Sequence, residues 1–243
     1  TYCIIPKIRG NYRSVPMETL IEQAKQLAEQ GVRELILVAQ ETTIYGTALY
    51  GRKALPELLK KLEAIPELVW IRILYCYPEE INEELVKAIR DSSKVCHYLD
   101  IPIQHASDNV LHRMGRKTSE EQLRQTIGYL RKEIPDIALR TTLISGFPGE
   151  TQEDFEELYR FVNEMEFERL GVFPYSAEED TPAATMADQV PDEVKNFRRD
   201  ELMELQQEIA FEKAENMVGR RLLAMIEGKV AEDDIYVART YMD

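Results

Sequence analysis

Five times along the chain a short apolar run gives way to an amphipathic helix. The alternation recurs at intervals of roughly 30–40 residues, the size of a βαβ unit. The runs lie at about 34–39, 68–74, 97–103, 137–145 and 168–173. Helical periodicity covers about 17–30, where Leu20, Ile21, Ala24, Leu27 and Ala28 form one apolar stripe between Pro16 and Gly31. It returns at about 54–65, 79–91 and 107–114, then from Thr118, read as an N-cap with Glu121 three residues on, and after Thr151. The unbroken run at 34–39 reads as a strand buried on both faces. Such alternation implies an α/β fold with a parallel sheet, doubly wound or closed as a barrel. Neither GxGxxG nor GxxxxGK[ST] occurs, so the nucleotide-binding doubly wound folds lose their main support. A TIM-type barrel or partial barrel is the better reading, its active site at the C-terminal ends of the strands.

After Phe173 the pattern changes. A proline-containing loop leads to a long charged helix at about 192–217, closed by Val218-Gly219. The tail reads as short strands at 222–226 and 235–237 with a turn at Glu227-Gly228-Lys229, too short to make its own core. The expected division is a barrel over 1–218 and the beginning of a second, small β domain over 219–243.

Charge and cysteine count narrow the function classes. The 243 residues carry 30 Lys+Arg against 44 Asp+Glu, a formal charge of −14, the reverse of a nucleic-acid footprint. No apolar run approaches the roughly 20 residues of a membrane span, and the start lacks the pattern of a signal peptide. Three cysteines argue against a disulfide scaffold and fit a reducing cytoplasm. The chain has no initiator Met and opens two residues before Cys3, and so reads as a piece of a longer protein.

Polar residues gather where each apolar run ends: Gln40-Glu41-Thr42-Thr43, Tyr75-Cys76-Tyr77-Pro78, Gln104-His105-Ala106-Ser107 and the stretch 142–150. A barrel-mouth site requires this, although ordinary strand-to-loop polarity produces it too. No Ser/His/Asp triad or HExxH zinc motif is present. Cys76 and Cys96 read as small buried apolar residues.

The segment Thr1-Tyr2-Cys3-Ile4-Ile5-Pro6-Lys7-Ile8-Arg9-Gly10 resembles the end of the CxxxCxxC motif of the radical S-adenosylmethionine (SAM) methylthiotransferases. Further matches follow in order: AQETTIYG at 39–46, YLDIPIQHASD at 98–108, RTTLISGFPGET at 140–151, and FPYS with DTPA at 173–176 and 180–183. Asp180 replaces the family's usual Gly. The nearest branch is the one that methylthiolates an aspartate of the twelfth small-subunit ribosomal protein. The tRNA-modifying, MiaB-like branch typically reads GQNVNSYG and QSGS where this chain has AQETTIYG and QHAS.

The resemblance implies a 4Fe-4S cluster on three cysteines, Cys3 being the third and the other two lying before Thr1. A cluster with one iron free of protein ligands would bind SAM and cleave it to a 5′-deoxyadenosyl radical. It implies hydrogen abstraction from the aspartate β-carbon, then C–S bond formation, with a second 4Fe-4S cluster in an absent N-terminal domain. Residues 219–243 resemble the start of a TRAM domain. Tyr2 would pack on the adenine or be a surface tyrosine. Gln40 and Glu41 would hold the methionine amino group, Gln104 would contact ribose or carboxylate, and the Gly146 turn would let backbone approach the adenosine. Arg140 would pair with the SAM carboxylate or form a structural ion pair. The fragment is expected to be a monomer and inactive alone, with a basic ribosomal protein as substrate and no direct nucleic-acid or membrane partner. Two alternatives stand beside this: the same chemistry on a tRNA adenosine, and a cluster-free barrel serving as scaffold or aldolase-type enzyme.

Overall fold

A computed structural model of the chain describes residues 1–230 and 234–243. Five strands form one sheet: β1 (Glu34–Leu37), β2 (Trp70–Ile73), β3 (Val95–Asp100), β4 (Ala138–Ser145) and β5 (Arg169–Pro174). They lie in the order β1-β2-β3-β4-β5 and every neighbouring pair is parallel. A doubly wound sheet reverses its strand order at a switch point. This one never does, and β1 and β5 remain as its two edges. The α/β architecture is therefore a partial barrel.

Helices cover the outer face. They are α1 (Ile5–Arg9), α2 (Met17–Glu29), α3 (Thr47–Tyr50), α4 (Leu55–Glu63), α5 (Glu83–Arg90), α6 (Asp108–Met114), α7 (Glu120–Glu133), α8 (Gln152–Met165) and α9 (Asp192–Glu215). Spacing dictates which side turns inward: Leu55, Leu58, Leu59 and Leu62 of α4 are all buried. They meet Ile71, Ile73, Leu99, Leu139 and Leu143 of the sheet, with Ile89, Leu130 and Phe161 of the other helices, in one core. Each such side chain contributes about 1.5–3 kcal/mol by leaving water. Along β4 the alternation is visible residue by residue, with Leu139, Thr141, Leu143 and Ser145 buried and Arg140, Thr142 and Ile144 more open. Odd positions of β4 face the helices, and even positions face the concave side of the sheet.

Several expectations need correction. The 34–39 run is not buried on both faces: Ile36 is 46% and Val38 63% exposed. Both belong to an edge strand and its extension, on the concave side. The cap of α7 is Ser119 rather than Thr118, because the Ser119 hydroxyl accepts from Gln122 N and the Gln122 side chain accepts from Ser119 N. The helix expected over 79–91 splits into a 3-10 turn at Pro78–Glu80 and α5, which is capped by Asn82. The short α1 and α3 carry no buried residue, so no apolar stripe announces them.

The tail forms an antiparallel pair, β6 (Ala224–Lys229) and β7 (Tyr236–Thr240). The turn expected at 227–229 is not there: those residues belong to β6, and pairing slips between Ile226 and Gly228. The pair does not build a core of its own. Met225, Tyr241 and Met242 pack on Trp70, Cys96, Tyr98 and Ala138. Arg239 reaches the Glu34 carboxylate, Arg72 donates to Tyr241 O at 2.8 Å, and the Tyr241 hydroxyl donates to Asp136 O at 2.9 Å. Glu34, Trp70 and Ala138 each open their strands. The hairpin thus covers the N-terminal end of the sheet and leaves the C-terminal mouth clear. No helix among the described residues is long and apolar enough to cross a membrane.

Candidate functional site

The mouth is assembled from the turns that follow the strands. After β1, Gln40 is exposed and Glu41 is buried. Glu41 accepts from Thr43 N (2.9 Å), the Thr43 hydroxyl and Tyr77 N (3.1 Å), which bind the first two turns together. Burial pushes its carboxyl up to about 7, and these donors hold it from rising further.

After β2, Tyr75 takes a left-handed backbone (φ 58°), and after β3 Gln104 does the same (φ 72°). Non-glycine residues pay for that conformation and persist in it where neighbours over-determine them. Tyr75 N donates to Asp100 Oδ2 at 3.1 Å and its carbonyl accepts from Thr42 N at 2.9 Å. Gln104 is locked to β4 on both sides, donating to Thr142 O (2.9 Å) and accepting from Ile144 N (2.8 Å). The next residue, His105, is fully buried; its Nδ1 accepts from Ser107 N at 3.0 Å, so the proton sits on Nε2, 3.6 Å from Glu150 Oε2.

After β4, Gly146 (φ 68°) begins a turn that closes on its own glutamate. Glu150 Oε2 accepts from Gly146 N (2.7 Å) and Phe147 N (3.1 Å), and Oε1 accepts from Arg198 Nη1 (2.8 Å) on α9. A Cβ on Gly146 would lie 2.2 Å from Lys195 Cγ, so only glycine lets α9 pass this close. Gly149 N is taken by Asp188 O at 2.7 Å. With these amides satisfied internally, the turn is no anion cradle; it can meet a ligand through close backbone approach and van der Waals contact. Phe147 lies edge-on to both Tyr2 (6.1 Å) and Tyr175 (5.3 Å).

The N-terminal residues come to the same mouth. Thr1 N donates to Met114 O at 3.0 Å and Thr1 O accepts from Ala183 N at 3.2 Å. That leaves Tyr2 half-buried, its hydroxyl pushed up to about 12 chiefly by burial, and Cys3 exposed. Cys76 and Cys96 are buried, and burial raises both thiols.

The structure therefore brings Tyr2, Cys3, Gln40, Glu41, Gln104 and Gly146 to one end of the sheet. Arg140, the third residue of β4, lies 4.0 Å from Asp100 at the end of β3, whose carboxylate accepts from Tyr75 N in the turn after β2. The residues fit SAM in kind: a buried carboxyl under a solvent-facing amide, an aromatic ring at the rim and a glycine turn. They do not complete a cluster site. Among the described residues no group of three His, Cys, Asp or Glu is placed to hold a metal; Cys3 is the exposed cysteine at the mouth, and Cys76, in the turn after β2, is buried. Sequence reasoning missed His105 as the neighbour of Glu150, and Arg198 as its partner. Glu150 had a visible signal, closing the GFPGE turn just before the Thr151 cap; Arg198, one basic residue in a charged helix, had none.

The family model of the radical SAM superfamily matches residues 1–162. The chain is 68% identical over all 243 residues to the ribosomal protein uS12 methylthiotransferase RimO of Lachnoclostridium phytofermentans, covering 55% of it. It is 54% identical over 241 residues (99% of the chain) to the protein of the same name from Clostridium perfringens, covering 54% of it. The chain thus spans about half the length of the curated relatives it matches. Among solved structures, anSMEcpe with bound AdoMet and a peptide aligns over 89% of this chain and 57% of its own, with a TM-score of 0.57 at 13% identity, a likeness of fold.

Proposed function

The chain belongs to the radical SAM superfamily, and from that premise we propose that it is the central part of a methylthiotransferase acting on an aspartate of ribosomal protein uS12. The observation that carries this reading is the identity of 68% to a relative of that name over the whole chain. In it, residues 1–218 form the catalytic barrel and 219–243 begin a TRAM domain. Cys3 is the third ligand of a 4Fe-4S cluster, its two companions lying before Thr1, and a second cluster sits in a preceding domain. The charge of −14 suits a basic protein substrate better than a phosphate backbone. The protein works in the cytoplasm as a monomer.

The chemistry SAM supplies when bound is hydrogen-atom abstraction from an unactivated carbon. The chain's own residues bind, orient and exclude water. Glu41, with Gln40 beside it, would hold the methionine amino group; burial raises its carboxyl to about 7, and a hydrogen-bond donor or cation beside it would favour the charged form. Gln104 would contact the ribose, Tyr2 would pack on the adenine, and the Gly146 turn, braced by Glu150 and Arg198, would let backbone approach the adenosine. Phe147 and Tyr175 keep water from the rim.

The test is the chain extended upstream, reconstituted anaerobically. Iron, sulfide and 5′-deoxyadenosine are measured, and mass spectrometry then follows a uS12 peptide against a tRNA stem-loop. A mass gain of one methylthio group on the aspartate is expected. Modification of the RNA instead, or no cluster-dependent SAM cleavage, overturns the reading.

A further inference from the structure

The two sides of α9 are unlike. Its inward side follows the helical repeat: Leu202, Leu205 and Ile209 join the core, and Gln206 Nε2 donates to Phe167 O at 2.9 Å. The helix starts beside the mouth, where Lys195 crowds Gly146 and Arg198 meets Glu150. It finishes near the opposite end of edge strand β5, where Lys213 Nζ lies 2.7 Å from Glu168 Oε1. Its 24 residues thus run down the barrel wall for about 36 Å. The outward side is not an ordinary solvated face. At about 100° per residue, Glu193, Phe197, Glu204, Glu208, Phe211 and Glu215 fall on one stripe, and all are exposed. Phe197 is 59% and Phe211 64% exposed, and they stand about 21 Å apart along the helix. The basic residues of α9, Lys195, Arg198, Arg199 and Lys213, pair with other carboxylates; among the described residues the glutamates of this stripe have no cation partner. Glu204 and Glu208, one turn apart, repel each other and weaken the helix that carries them.

We propose that this outward face of α9 is a docking surface for the basic protein substrate, gripping it away from the aspartate that reacts. The inference rests on the function proposed above and adds to it the place where the substrate is recognised. The chemistry of the face selects its occupant. Exposed aromatic rings anchor protein interfaces, and charges around them set approach and register. A second copy of this chain would bring the same glutamates and the same charge of −14, and a phosphate backbone would meet like charge along the whole stripe. A Lys/Arg-rich protein segment that also carries apolar side chains suits both the glutamates and the rings. The reaction itself calls for such a surface. An aspartate and its immediate neighbours resemble those of many other proteins, so contacts at the mouth discriminate poorly between them. Binding energy from a remote contact supplies that discrimination. It also raises the effective concentration of the aspartate at the mouth, because α9 begins beside the turn that ends β4.

The test uses the full-length holoenzyme with its cluster, unaltered, as Phe211→Ser, and with Glu204→Lys and Glu208→Lys together. Both variants alter α9 away from its mouth end. The substrates are whole uS12 and a short peptide around its aspartate, and the Kd of whole uS12 is measured alongside kcat and KM. Each variant is expected to raise the Kd and KM of whole uS12 by about 10-fold, with kcat within about twofold. KM for the short peptide, which does not reach Phe211, should stay unchanged; this also shows that the variants fold. The lysine variant should in addition flatten the dependence of KM on salt, and Phe211→Ser should leave that dependence intact. Whole-protein Kd and KM unchanged in both variants would overturn the docking surface and leave the proposed function standing. So would peptide KM rising as much as that of whole uS12, or an unaltered enzyme that is a dimer and becomes a monomer on Phe211→Ser. Whole uS12 bound through α9 but never modified would instead overturn the proposed function and leave the surface.

Discussion

Arg198 of α9 and Glu150, 48 residues earlier in the chain, form a buried ion pair with Nη1 and Oε1 2.8 Å apart. Arg198 also donates to the Glu150 carbonyl at 3.2 Å, while the other carboxylate oxygen holds Gly146 N and Phe147 N. The long helix is in this way bolted to the turn that ends β4.

Breaking that pair from one side should be costly. Arg198→Met leaves Glu150 charged and without its counter-ion in the interior, for an expected loss of about 3–5 kcal/mol. Arg198→Met combined with Glu150→Gln should lose less than the single change, because no isolated charge remains. Urea unfolding of Arg198→Met, Glu150→Gln and the double variant decides the matter; losses that simply add would show that the pair is not coupled.

Glu41 should leave a signature in the pH dependence of stability. Its folded pKa, about 7, lies above the ordinary 4.5. The folded state therefore holds the proton more tightly than the unfolded chain. That contribution is fully present below about 4.5 and is lost as pH rises through 7. Glu41→Gln should flatten the fall in the urea midpoint between pH 5 and pH 8. An unchanged slope would place the titration elsewhere.

Trp70, the chain's one tryptophan, reports on the hairpin. The Arg239 guanidinium lies 5.9 Å from its ring centroid and also binds Glu34. Arg239→Ala should weaken docking by about 1.5 kcal/mol, the low end for a charged hydrogen bond because Glu34 keeps Arg72. Trp70 emission should move to the red and proteolysis within 219–243 should speed up. Unaltered emission would mean that Met225, Tyr241 and Met242 hold the hairpin unaided.

Thiol labelling should divide the cysteines. Cys3 is exposed, whereas burial covers Cys96, pushed up to about 11, and Cys76, pushed higher than its ordinary value. At pH 8 iodoacetamide should modify Cys3 first, and the other two only at the rate of unfolding. Cys96 reacting as fast as Cys3 would contradict the packing of Tyr241 and Met242 over it.

Local periodicity was enough to establish the five strands, the outer helices and the polar residues that end each strand, because both the two-residue and 3.6-residue repeats are written within a dozen neighbours. The motifs from Cys3 to Glu150 were legible for the same reason. What tertiary structure alone decided depends on residues far apart. Ile36 and Val38 are open because β1 is an edge, which no property of the run itself expresses. Glu41 holds its proton more tightly because the turns around it bury it, against the opposing pull of the Thr43 and Tyr77 donors. The tail became a cover for the far end of the sheet because Arg239 finds Glu34, 205 residues away. Arg140 sits in the same motif as Gly146, yet its neighbour Asp100 comes from the end of β3, 40 residues earlier, a proximity that only strand register creates.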